Sequence, residues 1–320
     1  MSATTLSLKV NKIVQEAEDI RSYELTDPQG SLLPMFTAGA HLDVELPNGI
    51  ARQYSISSDP RDVDRYVVAV LREPVSRGGS VCMHDNVKEG DVLTIHPPRN
   101  NFPLSEDAKH HILMAGGIGV TPMMAMARDL SARGESFEMH YCTRTPAKTA
   151  FKEDIAASGF ADSIHFHHDN GNPADGLDIK ALLADVRDGA HIYYCGPGGF
   201  MHACEEASNH WPRGTVHFEF FSVDESVDHG DSDAFQIKIA STGAILDVPA
   251  DKSIVDVLRA NGIEVETMCE EGICGTCATV LVEGDPDHRD FVLDDEEKER
   301  GEFIMVCCSR SKSPLLTLDL

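Results

Sequence analysis

The chain has 320 residues, of which 42% are hydrophobic, and its 53 Asp and Glu outnumber its 27 Lys and Arg to give a net charge of −26. This length predicts two or three domains, each with enough apolar residues to bury a core. Such acidity excludes nucleic acid and anionic membranes as partners. It favours a basic partner, and the alternative is that the charge only keeps the protein soluble.

The N-terminal residues contain no basic segment followed by an apolar run, and no stretch of the sequence is long and apolar enough to cross a bilayer. We therefore expect a cytoplasmic protein without membrane association, and reduced cysteines fit that location. We also expect a monomer.

Residues 1–106 contain short runs of alternating apolar and polar residues separated by Gly, Pro, Asn and Asp. This pattern is typical of a small antiparallel β-barrel. The predicted strands include Leu6 to Val14, His41 to Leu46, Arg52 to Ser57, Tyr66 to Leu71 and Val92 to His96.

Two motifs in this segment are suited to binding a phosphate. In Arg52-Gln53-Tyr54-Ser55, strand alternation puts Arg52 and Tyr54 on one face, where an arginine can grip a phosphate and an aromatic ring can lie along a flavin. The Ser55 hydroxyl can form a hydrogen bond with a nitrogen of a flavin ring. In Arg77-Gly78-Gly79-Ser80, the glycines precede a predicted helix whose free N–H groups attract a phosphate. Each motif alone is also compatible with a plain turn or a sheet-face arginine, but the two together favour a bound mononucleotide.

Residues 107–223 alternate between strands, glycine turns and helices, which predicts a parallel sheet with helices on its faces. The first predicted strand, Ile112 to Ala115, is followed by a helix from Thr121 to Arg133 and a strand from Phe137 to Thr143. The alternation continues to Phe221.

Two glycine turns in this domain are predicted to face a dinucleotide. Gly116-Gly117-Ile118-Gly119 lies between a strand and a helix, with Thr121 as the helix N-cap and Pro122 in its first turn, so that free N–H groups face a pyrophosphate. A tight turn without a ligand is the alternative, because this is not the GxGxxG pattern. Cys195-Gly196-Pro197 ends another strand, and ligands gather at the carboxyl ends of such strands. Arg144, at the same edge, is either a further contact or a solvated surface residue.

Residues 224–233 are polar and acidic, which predicts a linker to a third domain, residues 234–320. Two strands are predicted at the start of that domain, Phe235 to Ala240 and Ala244 to Val248. A helix should follow, with Ser253 as its N-cap, Asp256 in the capping-box position and Gly262 just beyond its end.

Four cysteines of the third domain have the spacing of a plant-type [2Fe-2S] site, in which each iron takes two soft thiolates. These cysteines are Cys269, Cys274, Cys277 and, after 29 intervening residues, Cys307. Gly272 and Gly275 allow the loop to turn tightly. Disulfides or a zinc knuckle are the alternatives, but zinc sites usually pair two short CxxC-like units, which this spacing lacks. The spacing favours Cys307 over its neighbour Cys308, which we expect to be a small buried apolar residue.

Taken in order, these motifs strongly resemble those of the phthalate dioxygenase reductase family over essentially the whole chain. Members of this family are NADH-dependent reductase components of two-component Rieske oxygenases, including the vanillate demethylase and the chlorobenzoate or phenoxybenzoate dioxygenase reductases. The resemblance implies an FMN-binding barrel of the ferredoxin-reductase type, an α/β NADH domain and an α+β ferredoxin domain of the β-grasp type. Two further segments also look family-like, Asp287-His288-Arg289-Asp290 and Met305-Val306-Cys307.

The resemblance also implies roles for individual residues. FMN contacts are expected at Arg52, Tyr54, Ser55, Gly79 and Ser80. The resemblance implies NADH contacts at Gly117, Gly119, Thr121 and Cys195, and from their positions in the sequence we expect further contacts at Gly116, Arg144, Asp169, Gly196 and Pro197. Among them, Ser55 would lie near the flavin N5, Cys195 near the nicotinamide C4, and Thr121 beside the nicotinamide.

Three further residue groups need separate interpretation. Phe221 or Phe220 is expected beside the flavin, and the sequence does not decide between them. Asp169 is the candidate carboxylate for the NADH ribose, where it would disfavour a 2′-phosphate, although Arg144 weakens that inference. The alternating histidines 165, 167 and 168 are not expected to bind a metal, because no convergent further ligand is evident.

The implied function is stepwise electron transfer. NADH gives two electrons as hydride and a [2Fe-2S] cluster accepts one at a time, so FMN is needed between them to divide the pair. The expected partner is a Rieske oxygenase that acts on an aromatic acid. The alternatives are a reductase for a cytochrome P450 or for a non-aromatic Rieske oxygenase, and a non-catalytic redox carrier or sensor.

Overall fold

The structure is a computed structural model that describes residues 5–74, 76, 78–221, 233–267 and 269–320. The chain forms two compact units, residues 1–221 and residues 222–320. Arg77 of the second phosphate motif and residues 224–232 of the predicted linker lie outside the described residues. Within the described ranges, no helix combines the length and apolar character that a membrane span requires.

The N-terminal part of the first unit is an antiparallel barrel. Its strands are β1 (Leu6–Ala17), β2 (Ile20–Thr26), β3 (His41–Glu45), β4 (Ala51–Ser55), β5 (Arg65–Leu71) and β6 (Val92–Ile95), and α1 (Gly79–Asn86) lies between β5 and β6. Their order in the sheet is β4-β3-β6-β1-β2-β5. A bridge between Ile56 and Val68 joins the two edge strands and closes the sheet.

Two details of the barrel differ from the sequence prediction. The strand predicted from Arg52 to Ser57 ends its pairing with β3 at Ser55, because the chain then turns to β5 and the Ser57 N–H donates to the Val67 carbonyl at 2.8 Å. Strand β2 was not among the runs singled out. It follows a tight turn in which Asp19, rather than a glycine, takes a positive φ of 63°.

The second part of the first unit is a five-stranded parallel sheet. Its strands are β7 (His110–Gly116), β8 (Phe137–Thr143), β9 (Ile164–His168), β10 (Ala190–Cys195) and β11 (Val216–Glu219), and its helices are α2 (Val120–Arg133), α3 (Lys152–Ala157), α4 (Ile179–Leu183) and α5 (Gly198–Ser208). The spatial order is β11-β10-β7-β8-β9. The direction of winding reverses between β7 and β10, so a crevice forms where these two strands end.

One hydrophobic core joins the barrel to this sheet. Ile20, Ala69 and Phe102 of the N-terminal part pack with Leu113 of β7 and Met123 of α2, and all are buried. Burial of this apolar surface holds the barrel against one face of the sheet. The boundary at residues 106 and 107 stays a prediction, because the core crosses it.

The second unit is a small mixed sheet with two short helices. Its elements are β12 (Phe235–Ile239), β13 (Ile245–Val248), α6 (Ile254–Ala260), β14 (Ala278–Glu283), β15 (Pro286–Asp287), α7 (Asp295–Arg300), β16 (Phe303–Met305), β17 (Arg310–Ser311) and β18 (Leu315–Leu318). The main sheet has the order β13-β12-β18-β14-β16, with β12 and β18 parallel, and β15 pairs with β17.

The capping prediction for the helix of this unit is confirmed. The Ser253 hydroxyl accepts a hydrogen bond from the Asp256 N–H at 3.1 Å, and the Asp256 carboxylate accepts one from the Ser253 N–H at 3.1 Å. Gly262 follows the helix with a φ of 73° and donates its N–H to the Arg259 carbonyl.

Candidate functional site

The predicted flavin residues of the barrel lie on β4 and at the start of α1. Arg52 passes directly over Gly79, because a Cβ built at Gly79 would lie 2.7 Å from Arg52 Cγ. Any side chain at residue 79 would therefore displace the arginine. Gly78 is the N-cap of the helix, with a φ of 94°, and no side chain of the described residues caps the helix, which leaves the first N–H groups of α1 for a ligand beside Arg52.

Tyr54 gives the clearest test of whether this face fits a bound mononucleotide. Its hydroxyl is buried and has no hydrogen-bond partner within the described part of the chain. A buried tyrosine hydroxyl normally has a hydrogen-bond partner, and a polar ligand on this face would supply it. Together with Arg52 and the start of α1, Tyr54 makes the barrel face suitable for the phosphate and ribityl groups of FMN. Ser80 is held nearby, donating its hydroxyl to the Ser76 hydroxyl at 3.1 Å.

The two predicted glycine turns meet at the crevice between β7 and β10. A Cβ on Gly116 would lie 2.9 Å from the Pro197 and Phe200 side chains, and one on Gly196 would lie 2.9 Å from Gly116 Cα. A Cβ on Gly119 would overlap the Cys195 carbonyl. The glycines are therefore required for the two turns to approach each other, which leaves their backbone accessible to a dinucleotide.

The prediction that Thr121 caps helix α2 is wrong. A 3-10 turn at Gly117–Gly119 runs directly into the helix, which begins at Val120, so that Gly119 occupies the N-cap position. Thr121 is buried inside the first turn and donates its hydroxyl to the Ile118 carbonyl at 3.0 Å. Pro122 does lie in the first turn, as predicted.

Arg144 and Asp169 lie together at the carboxyl ends of β8 and β9. The Asn170 N–H donates to the Arg144 carbonyl at 2.9 Å, which joins the two segments. The Arg144 side chain is exposed, and the Asp169 carboxylate accepts a hydrogen bond from the Gly171 N–H at 2.8 Å. The structure thus places both residues at the edge of the sheet at which the two glycine turns lie.

Glu219 is a site residue that the sequence analysis missed. It ends β11 opposite Cys195 of β10, and its Oε2 accepts a hydrogen bond from the Ser55 hydroxyl of the barrel at 3.3 Å. Burial raises the pKa of Glu219 to about 8, against the lowering effect of the Ser55 hydrogen bond. Burial also raises the pKa of the Cys195 thiol, with the Glu219 charge adding to the effect. The only sequence signal was a carboxylate within an otherwise mostly apolar run, Val216 to Phe221.

The raised pKa of Glu219 predicts the pH dependence of flavin reduction by NADH. The carboxyl is neutral below about pH 8 and ionises above it, and a negative charge beside Ser55 opposes the arrival of hydride at the same place. We expect the rate of flavin bleaching in stopped-flow experiments to fall as the pH rises through about 8, and the Glu219→Gln variant to lack this inflection. If the pH dependence of the bleaching rate is the same in the variant as in the wild type, Glu219 does not control flavin reduction.

The two phenylalanines after β11 lie on opposite sides of the sheet. Phe221 packs against the core shared with the barrel, whereas Phe220 packs against the core beneath α4 and α5. Because the flavin face belongs to the barrel, this arrangement supports Phe221 as the residue beside the flavin.

The histidines of β9 pair with a neighbouring strand. His167 Nε2 lies 3.1 Å from His140 Nδ1, while the His165 ring packs on His140 and is itself exposed. His168 Nδ1 lies 2.9 Å from the Thr143 hydroxyl. These contacts give each histidine a partner within the sheet.

The four predicted cluster ligands form two thiol pairs. Cys269 Sγ lies 3.0 Å from Cys274 Sγ, and the Cys307 thiol lies close enough to Cys277 to raise the pKa of the Cys277 thiol. Within the described ranges, no three His, Cys, Asp or Glu side chains form a group that could hold a single metal ion. Two pairs are the arrangement that two bridged irons need, with two thiolates for each iron. Pairing with Cys277 also supports Cys307, rather than Cys308, as the fourth ligand.

Backbone turns of positive φ shape the ligand loop. Gly272 and Gly275 have φ values of 74° and 72°, and Glu270 adopts 57° without being a glycine. Cys308 is half-buried rather than buried as expected, and a Cβ on Gly272 would lie 2.5 Å from its Sγ. Residue 272 must therefore remain glycine for the loop to pass this side chain.

Comparisons with known proteins cover the whole chain. Residues 237–312 match the family of 2Fe-2S iron-sulfur cluster binding domains. The chain is 47% identical to the tert-butanol monooxygenase / tert-amyl alcohol desaturase reductase subunit of Aquincola tertiaricarbonis, over 99% of this chain and 96% of that protein. It is 47% identical to the vanillate O-demethylase oxidoreductase of a Pseudomonas species, over 95% and 96% respectively.

The solved structure of phthalate dioxygenase reductase, described as a modular structure for electron transfer from pyridine nucleotides to [2Fe-2S], matches 99% of this chain and 98% of its own at 44% identity and a TM-score of 0.74. Fold and site together define a flavin- and pyridine-nucleotide-dependent iron–sulfur oxidoreductase. The chain belongs to the phthalate dioxygenase reductase family. The predicted fold class, oxidoreductase activity and set of flavin, pyridine-nucleotide and [2Fe-2S] cofactors are thereby confirmed.

Proposed function

We propose that this protein is the reductase component of a two-component oxygenase, which takes electrons from NADH and delivers them one at a time to a partner Rieske oxygenase. The Ser55 to Glu219 hydrogen bond is the observation that carries the proposal. It joins the flavin strand of the barrel to the strand end beside Cys195, so the flavin face and the nucleotide edge form one site. A hydride donor bound at that edge would meet its acceptor there.

The residues have distinct roles in this proposal. Arg52 and the N–H groups of α1 hold the FMN phosphate with Ser80, and Tyr54 and Phe221 pack on the flavin. The two glycine turns shape the NADH pyrophosphate site, with Arg144 at its rim. Their residues are Gly116, Gly117, Gly119, Gly196 and Pro197. FMN, when bound, supplies the chemistry that divides the hydride electron pair into single electrons.

Three residues act where the hydride moves. Ser55 lies at the acceptor position, where its hydroxyl donates a hydrogen bond to Glu219 and is held in place by it. Cys195 is fully buried at the end of β10, where its side chain excludes water from the nicotinamide. Thr121 keeps the adjoining turn in place through its hydrogen bond to Ile118.

NADH is the proposed donor rather than NADPH. Asp169 lies at the carboxyl edge of the sheet, where a carboxylate accepts the ribose 2′-hydroxyl and repels a 2′-phosphate. Arg144, beside it, would attract that phosphate, so the preference depends on the balance of the two residues.

Cys269, Cys274, Cys277 and Cys307 are the proposed cluster ligands. The partner would be a Rieske oxygenase that acts on an aromatic acid, by dioxygenation or O-demethylation. Two relatives are named for phthalate dioxygenase and vanillate O-demethylase, which supports this substrate class, whereas the Aquincola relative is named for an alcohol oxygenase. We further propose a cytoplasmic monomer that binds neither membranes nor nucleic acid.

NADH-driven turnover with purified oxygenases tests the partner assignment. The protein should support product formation by Rieske oxygenases of aromatic acids, with the Cys274→Ser variant as the inactive control. Coupling only to a cytochrome P450, or only to a Rieske oxygenase of non-aromatic substrates, would contradict the proposed partner. Absence of any NADH oxidation would instead indicate a redox carrier or sensor.

The acidity of the chain predicts how partner binding responds to salt. With a net charge of −26, the protein should be drawn to a basic oxygenase surface, and ions screen such attraction. We expect coupled turnover at subsaturating oxygenase to fall as ionic strength rises from about 0.05 to 0.5 M, over which the Debye length shortens severalfold. NADH–ferricyanide activity is the control and should change little. A flat coupled profile would leave solubility as the role of the charge.

A further inference from the structure

Asp290 is a buried carboxylate beside the ligand loop of the second unit, and its side chain has 0% exposure. Its Oδ2 accepts hydrogen bonds from the Val292 N–H at 3.3 Å and the Leu293 N–H at 2.9 Å. Its Oδ1 accepts one from the Ser309 hydroxyl at 3.4 Å. A buried carboxyl group is kept only where such partners satisfy it.

These contacts join two segments of the chain that carry cysteines. Ser309 lies two residues beyond Cys307, and its hydroxyl also accepts a hydrogen bond from the Arg289 N–H at 3.2 Å. The Asp290 Cα lies against Gly272 in the middle of the 269–277 loop, where a glycine Cβ would come within 3.1 Å of it. The next residue donates its N–H to the Gly272 carbonyl at 2.9 Å.

The distance between these segments matters because one iron of the cluster would take one thiolate from each of them, Cys277 and Cys307. Cys277 belongs to the loop, whereas Cys307 is brought back after 29 intervening residues. The Asp290 carboxylate bonds the Cys307 turn while its own backbone packs on the loop. Asp290 thereby fixes the distance between the two segments that carry Cys277 and Cys307.

We propose that Asp290 is a positioning residue for the [2Fe-2S] cluster, which holds the Cys307 turn against the 269–277 loop through Ser309. The inference rests on the proposed set of four cysteine ligands. Groups that orient metal ligands from behind commonly change metal affinity by about 10- to 100-fold when removed. Asp290 acts without touching the cluster, only through the backbone that carries the cysteines.

The test compares Asp290→Ala, Asp290→Asn and Ser309→Ala in the full-length protein. Asp294→Asn is the matched control, because Asp294 is an exposed N-cap in the same segment and asparagine caps helices equally well. Three quantities are measured: the rate of cluster loss to a chelator by visible absorption, the EPR spectrum of the reduced cluster, and its midpoint potential.

We expect cluster loss to be at least about tenfold faster in Asp290→Ala, with smaller increases in Asp290→Asn and Ser309→Ala. In the last two variants the EPR spectrum and the potential should also change, which a general loss of stability would not produce. The control should match the wild type. NADH–ferricyanide activity should persist in all variants, because the flavin residues lie in the other unit.

Wild-type loss rates, spectra and potentials in Asp290→Asn and Ser309→Ala would overturn the proposal, whether or not Asp290→Ala folds. Failure of the ligand assignment is distinguishable, because the wild-type protein would then give no reduced-cluster signal or Cys274→Ser would retain one.

Discussion

The Cys274→Ser variant should lose NADH-dependent cytochrome c reduction while it retains NADH-dependent ferricyanide reduction within about twofold. A serine hydroxyl is a hard and weakly acidic ligand, so it does not replace the soft thiolate that the iron requires. Cys274 pairs with Cys269 in the second unit, whereas the flavin and nucleotide residues belong to the first. Electrons should therefore still reach ferricyanide from the flavin, but not cytochrome c through the cluster.

Cys308→Ser is the matched control for this substitution. Cys308 neighbours Cys307 but is not assigned to an iron, so its variant should keep the cluster spectrum and cytochrome c activity. Equal loss of both activities in Cys274→Ser would contradict the division of labour between the two units. Loss of the cluster in Cys308→Ser would contradict the assignment of Cys307.

The Gly119→Ala variant should lose about 100-fold in the rate of flavin reduction by NADH, the scale expected when a reacting group is displaced by about 1 Å. The added Cβ would overlap the Cys195 carbonyl and lie 2.8 Å from the Gly196 N–H nitrogen. Because both contacts are backbone atoms, no side-chain movement relieves them. The turn after β10 must move away, and Cys195 moves with it.

Gly159→Ala is the control for this effect, since a Cβ there meets no atom within 4 Å. Both proteins should be compared by stopped-flow absorption after their FMN content has been matched. Wild-type reduction rates in Gly119→Ala would contradict the close approach of the two glycine turns.

Local signals made much of the fold predictable from the sequence. The Ser253 capping box and Gly262 lie within ten residues of each other, so the helix they bound is specified by its own segment. The cysteine spacing is similarly informative, because one short loop supplies three of the four ligands. Strand β2 was harder to identify, since Asp19 makes the preceding turn without glycine or proline.

Contacts between distant segments could not be predicted in the same way. Glu219 meets Ser55 across 164 residues of sequence, and a glutamate within a mostly apolar run gives no sign of that partner. The cap assigned to Thr121 was wrong because a 3-10 turn, which the glycines permit, leads into the helix and moves the N-cap position two residues back, to Gly119. Asp290 likewise reaches Gly272 and Ser309 only through the tertiary fold.

An anaerobic NADH titration followed by visible absorption and low-temperature EPR follows the whole electron path in one experiment. One chain is expected to pass electrons from NADH through FMN to a [2Fe-2S] cluster. Bleaching of both the flavin and the iron–sulfur bands, with a rhombic reduced-cluster EPR signal, is the predicted result. Bleaching of the flavin alone, without that signal, would show that Cys269, Cys274, Cys277 and Cys307 do not hold a working cluster and would contradict the account.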